Sequence, residues 1–353
     1  MPGLGATGGG KLQVSVGWHQ SSANRSYVNG KLNKNFTHLW QPRETLSALD
    51  ATIRYSVNRR VNITASLPII TNSFSMLTPP TNSLATIRHG WHANGIGDVV
   101  LFGQTYLYDP KSHLFSNVVV GVGMKIPTGN WDVKAVIPNE NGLGYRRRAV
   151  FPPSIMPGDG GTDIILGING FRTFRKPLWL RGQTVFASAS YLISPRDGNG
   201  TPSIVQNLGV PLAPGFANSL TNSVTDSWNI NFGASVKVPH TADNPKLKGL
   251  RGRLAFGWEG IPKYDLFGGS RGYRQPGYTI SVNPGFTYAY LRGMFICEVP
   301  IVFNRYIDPH DSAIPGLPSG NAAGVVQPAA FNSRRNMGLV APAAISVRYV
   351  HTL

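Results

Sequence analysis

The 353-residue sequence has one cysteine, few acids and no long apolar run, and each shortage removes a class of protein. The lone thiol, Cys297, excludes an intramolecular disulfide and any cysteine-cluster metal site. No window approaches the ~18 consecutive apolar residues of a spanning helix. The most apolar stretch, from Asn117 to Met124, stops after a few positions. Acids number 16 against 33 Lys and Arg, a formal charge of +17. The first residues, Met1 to Gly10, contain no apolar signal core, so an export signal is expected either to have been removed or to lie upstream. What is abundant is Gly and Pro, 41 and 27 residues, in a chain that is still 41% hydrophobic. Being aperiodic, this excess fits neither collagen nor a disordered tail and indicates ordered, turn-rich β structure.

Period-2 alternation recurs throughout. Between Trp228 and Val238, the residues Trp228, Ile230, Phe232, Ala234, Val236 and Val238 share one face, with Asn229, Asn231, Gly233, Ser235 and Lys237 on the other. A strand places alternate side chains on opposite faces, so each such run has an apolar and a polar side. Twelve runs are expected, near residues 11–19, 45–57, 61–70, 98–108, 114–126, 162–174, 178–193, 226–238, 251–259, 278–290, 294–305 and 340–353. Their connections alternate between short turns and six long loops near 20–44, 71–97, 127–161, 194–225, 260–277 and 306–339.

An up-and-down meander gathers all odd connections at one end and all even ones at the other. One trimmed rim and one long-looped rim is the asymmetry of an outer-membrane barrel, with an even strand number and short periplasmic turns. The expected fold is therefore all-β: a transmembrane antiparallel barrel over residues 11–353, preceded by a flexible segment 1–10. A soluble sandwich or propeller is the alternative, with apolar rows facing a protein core. Trp18, Trp228, Trp258, Tyr278 and Tyr349 sit near strand ends on the outer face, where aromatic girdles belong.

Three stretches carry a family resemblance: Gly95-Ile-Gly-Asp98, which opens a strand; Lys125-Ile-Pro127-Thr-Gly129, which closes the next; and the run from Trp258 through Asp265 and Arg274 to Gly277. Together they resemble the outer-membrane barrel family associated with meta-pathway phenol degradation. That resemblance implies a barrel moving small, often aromatic, molecules across the outer membrane, and it implies no catalytic residue. On their own chemistry, Pro127 and Gly129 end a strand, and Gly121 and Gly123 remove bulk from the inward row, leaving room for facing side chains or solutes.

If the apolar rows face lipid, the opposite rows line a lumen. They offer Arg54, Lys125, Lys237, Arg251, Arg253, Arg305 and Arg348 against Asp50, Asp163, Glu259 and Glu298. A net-positive lumen favours anionic or polar aromatic solutes; the alternative is that these charges pair and plug the barrel, which then anchors or scaffolds a partner. Arg146, Arg147, Arg148, Arg334 and Arg335 fall in external loops, as solvated charge or as contacts to lipopolysaccharide phosphates. Dispersed charge without a basic helix argues against nucleic acid, and an oligomer or protein partner stays open. No enzyme motif is present, so no catalytic residue, cofactor or metal is expected. His89 and His92 share a short segment, but no His-x-x-x-His set occurs, and His19, Ser21, Ser22 and Asn24 match no nucleophile spacing. Cys297 alternates with Phe295 and Val299 and reads as a small apolar residue facing lipid. The Pro-rich stretch 151–158 is a candidate constriction on composition.

Overall fold

The computed structural model describes residues 10–78, 87–138, 146–150, 152–203, 220–238, 247–308 and 339–353. Twelve antiparallel strands close into a barrel: β1 Lys11–Ala23, β2 Arg43–Ser56, β3 Val61–Thr78, β4 Ile87–Ile96 continued as Val99–Tyr106, β5 Ser116–Ile126 and β6 Asp163–Thr173. Then follow β7 Thr184–Ile193, β8 Ser227–Lys237, β9 Leu250–Ile261, β10 Gly277–Tyr290, β11 Gly293–Glu298 continued as Ile301–Ile307, and β12 Ala344–Thr352. Each strand pairs with its sequence neighbours, and β12 returns to β1, with Gln13 opposite Thr352 and Trp18 opposite Val347. Closure pairs the two strands that would otherwise be edges, which is how β structure satisfies its backbone in hydrocarbon. All long connections leave one rim and all short turns the other, as the loop lengths indicated.

The outer face is apolar where lipid requires it. Val16, Ile53, Ile63, Leu101, Val122, Leu166, Phe232, Leu254 and Phe303 are exposed, alternating with a polar inner row. Near the loop side, Trp228 meets Trp258 edge-on at 4.6 Å, Trp258 meets Tyr278 at 6.5 Å, and Tyr278 stacks on Tyr306 at 5.6 Å. Near the turn side, Tyr288 stacks on Tyr290 at 6.2 Å. From Tyr278 to Tyr288, a rise of ~3.3 Å per residue at ~40° tilt gives about 25 Å, the height of a barrel's apolar band.

Beyond that band β3 and β4 continue as a hairpin where a loop was expected at 71–97. Its alternation changes sign: Thr71, Ser73 and Ser75 now point outward, and Phe74 and Met76 point inward opposite Trp91 and His89. Outward polar residues mark the exit from hydrocarbon, and a search for outward apolar residues stops there. The inward side chains form an apolar cluster of Trp40, Phe74, Met76, Trp91, Ala93 and Ile155. Trp40 comes from a seven-residue helix, Lys34–Trp40, inside the first long loop. Two smaller differences have local causes. β7 starts at Thr184 rather than 178, because Phe174 and Gln183 close the hairpin and residues 175–181 form its turn. In β11 a register shift between Val302 and Asn304 returns Arg305 to the inner row, which strict alternation from Glu298 would not do.

Candidate functional site in the barrel lumen

The loop-side half of the lumen is filled. The turn Pro153–Ile155 enters it, Ile155 is 1% exposed, and its carbonyl accepts a hydrogen bond from Asn72 Nδ2 at 3.2 Å. Trp91 Nε1 donates to the Val136 carbonyl at 3.0 Å, tying the same long loop to β4. Pro157 lies over Gly95 and Gly97; a Cβ on Gly97 would come within 3.1 Å of the Pro157 carbonyl oxygen. Segment 152–158 thus occupies the lumen, where composition had placed a constriction.

Beside this apolar plug runs a chain of buried polar contacts. Lys125 Nζ is 2.6 Å from Asp163 Oδ2 and 3.8 Å from Asp98 Oδ2, and it also pairs with Asp159. Asp98 Oδ1 accepts from the Gly129 amide at 2.9 Å, while Thr128 Oγ1 donates to the Gly97 carbonyl and accepts from the Val99 amide. Asp163 Oδ1 accepts from Ser194 Oγ at 2.7 Å, and the Ser194 amide donates to Asp226 Oδ1 at 2.7 Å. Asp226 Oδ2 accepts from Tyr191 and from the Leu266 amide, and the Asp226 amide donates to Asp265 Oδ1 at 3.0 Å. Asp265 is clamped by Arg274 through two bonds of 2.7 and 2.6 Å. Residues from the three stretches of the family resemblance therefore meet in one network from β4 to β10. Read as strand ends, they turn out to hold the loops onto the barrel.

The turn-side half of the lumen holds cavities. A cavity of about 370 Å³ is lined by Arg54, Gln104, Asn169, Phe171, Phe186, Ser188, Arg253, Glu298 and Arg348. Arg54, Gln104 and Arg348 also line a second, of about 190 Å³, and Phe171, Phe186 and Arg253 a third, of about 310 Å³. Arg253 pairs with Glu298 and lies 4.0 Å above the Phe186 ring. Arg251 donates from Nη2 to the Gly182 carbonyl at 2.8 Å and from Nε to Ser235 Oγ at 2.9 Å.

The remaining charges expected to line the lumen are scattered. Asp50 Oδ2 lies 3.4 Å from His19 Nδ1. Lys237 is exposed at the turn-side rim, its side chain against Gly182. Glu259 accepts from Asn229 and Thr279 near the loop side. Arg305 sits under Tyr27, 4.5 Å from its ring, and donates to the Val302 carbonyl. Lys125 and Asp163 belong to the buried network, so the cations do not form one continuous ring. The room left by Gly121 and Gly123 is taken by Phe102, whose ring a Cβ on Gly121 would meet at 2.6 Å. His89 and His92 lie on opposite faces of β4 and cannot share a metal; no metal-holding cluster occurs among the described residues. Arg148 is exposed in an external hairpin, while the side chains of Arg146 and Arg147 and all of Arg334 and Arg335 lie outside the described residues.

Phe102, Phe171 and Phe186 carry no charge, so a reading of the inner rows by charge does not register them. Their signal was available: an aromatic on the polar parity of a strand has no lipid to face and must fill the lumen.

No family model and no curated protein matches the chain. Among solved structures, an outer membrane channel from Pseudomonas putida F1 is similar over 99% of this chain and 98% of its own, with TM-score 0.54 and 11% identity. The β domain of a Bordetella autotransporter matches over 98% of this chain and 100% of its own, with TM-score 0.45 and 10% identity. The translocator domain of the autotransporter NalP from Neisseria meningitidis matches over 98% and 89%, with TM-score 0.46 and 10% identity. The likeness to the Pseudomonas channel shows a shared fold: the chain is built as a bacterial outer-membrane β-barrel.

Proposed function

We propose that the chain is an outer-membrane channel or facilitator for the passive passage of small solutes, favouring anionic or polar aromatic molecules, with no enzymatic step. The observation that carries this reading is the linked set of turn-side cavities, where Arg54, Arg251, Arg253 and Arg348 face a single carboxylate, Glu298. Cations within a low-dielectric wall concentrate anions. The aromatic wall of Phe171 and Phe186 agrees with the resemblance to the phenol-associated family, and we keep that association as part of the proposal. Exposed Arg148 is retained as a candidate lipopolysaccharide contact, with Arg146, Arg147, Arg334 and Arg335.

Purified barrel in planar bilayers tests the reading. Stepwise conductance with anion preference is expected, and Arg54→Glu with Arg348→Glu should reverse the preference. Unchanged selectivity in the double variant would remove the assigned cavity from the conduction path. A second reading, a plugged barrel serving as anchor or scaffold, is favoured by the loop-side plug around Ile155. Silence at every voltage and pH supports it.

A further inference from the structure

The lumen cations fall into two groups. Lys125 is held by three carboxylates, Arg253 by Glu298 and the Phe186 ring, and Arg251 by backbone and Ser235. Arg54 and Arg348 have no ion pair and no hydrogen bond among the described residues, and Arg54 Nε is shielded from water without an acceptor. A shielded guanidinium N–H without a partner is costly, and ligand sites are where such groups are kept. Both arginines line the 370 Å³ and the 190 Å³ cavities, together with Gln104.

Their placement follows from the strand pairing. Arg348 of β12 stands opposite Gly17 of β1, and its shaft lies over that glycine; a Cβ there would be 3.1 Å from Arg348 Nε. The missing side chain lets Arg348 lean toward β2, which carries Arg54. Asp50, on the far side of Gly17, is engaged by His19 and does not pair with Arg348. Across the cavity β6 and β7 present Phe171 and Phe186, neighbours in register. One wall thus offers two planar guanidinium groups and an amide, the other two aromatic rings, with the Arg253–Glu298 pair lying against one face of Phe186.

We propose that Arg54, Arg348 and Gln104 clamp the carboxylate of a monocyclic aromatic acid whose ring packs against Phe171 and against the part of Phe186 that Arg253 leaves uncovered. Planar guanidinium groups match a carboxylate through paired hydrogen bonds, which a chloride ion cannot reproduce. A volume of about 370 Å³ is at the small end of ligand pockets and suits one ring. The clamp rests on the channel reading for its use, and it adds saturation: the acid binds on its way through, competes with its analogues and slows the flow of simple anions.

The test is titration calorimetry of the refolded full chain with sodium benzoate, benzyl alcohol and sodium acetate, alongside chloride conductance in planar bilayers during benzoate addition. Benzoate should bind at least about tenfold more tightly than the other two and reduce chloride current to a plateau. Arg54→Gln and Arg348→Gln should each weaken benzoate by about tenfold or more. Gly17→Ala, which displaces Arg348 without removing charge, should weaken it in the same direction and serves if an arginine variant does not fold. Equal benzoate affinity in the folded variants, or benzyl alcohol binding as tightly as benzoate, overturns the clamp. Chloride steps with no response to benzoate leave the channel reading standing and remove the clamp, whereas benzoate binding without any conductance keeps the clamp and removes passage.

Discussion

Replacing Lys125 by Met should be the most damaging single charge removal on the loop side. The ammonium is 11% exposed and faces three carboxylates, of which Asp163 is 2% and Asp98 10% exposed at the side chain. Asp159 is 45% exposed and can return to water, so its share is screened and small. Asp163 and Asp98 cannot. Removing one partner from a buried pair costs ~3–5 kcal/mol, because the remaining charge is stranded. Asp163 retains its bond from Ser194 and Asp98 its bond from the Gly129 amide, which bring the expectation to the lower end, about 3 kcal/mol, or roughly two decades in the unfolding constant. Urea unfolding in phospholipid vesicles, followed by tryptophan fluorescence and by heat-modifiable gel mobility, measures it. Adding Asp163→Asn to Lys125→Met should recover part of the loss, since the more buried of the two stranded charges is gone and only Asp98 remains. A single variant within ~1 kcal/mol of the parent, or a double variant no better than the single, would show that the contacts are not a stabilising network.

Other consequences follow from packing. Gly167→Ala would place a Cβ 2.8 Å from the Phe102 ring tip, so it should destabilise by ~1–3 kcal/mol and be rescued by Phe102→Leu, read by the same unfolding assay. Ile155→Ala empties part of the plug, a local loss of ~2–4 kcal/mol, and should raise single-channel conductance and loop proteolysis while leaving the barrel's gel mobility unchanged; unaltered conductance would place the plug off the path. Trp258→Ala removes two edge-on aromatic contacts and should cost ~1–2 kcal/mol in the same unfolding assay.

The barrel was legible because its physics repeats locally. Each strand's alternation, as in Trp228–Val238, reports which face meets lipid, and turn residues such as Asn58-Arg59-Arg60 report the trimmed rim. The interior was less legible for a reason of geometry. Alternation says that Lys125 points inward but not that Asp159, thirty-four residues on, folds back to meet it. It also says nothing of Arg54 and Arg348 lining one cavity, since they are joined only by closure of β12 on β1. The hairpin beyond Ile70 was invisible to a search for outward apolar residues because outside hydrocarbon the rule inverts. The Lys-x-Pro-Thr-Gly and Gly-x-Gly-Asp stretches stood out by resemblance, yet their purpose needed the fold, because Thr128 bonds Gly97 and Val99, and Gly129 bonds Asp98, across strands.

The buried network also bears on the order in which this barrel is completed. Asp98 arrives with β4, before its cation on β5, and Lys125 in turn precedes Asp159 and Asp163. Asp226 and Asp265 follow, and Arg274 comes last of the set. A chain delivered to the membrane strand by strand therefore carries unpaired carboxylates that prefer water until their partners dock. The short turns stay on the periplasmic side, so the loop side of β4 through β10 is the end that has to cross the bilayer, and every carboxylate that meets its cation or its hydrogen-bond donors beforehand lowers the cost of that passage.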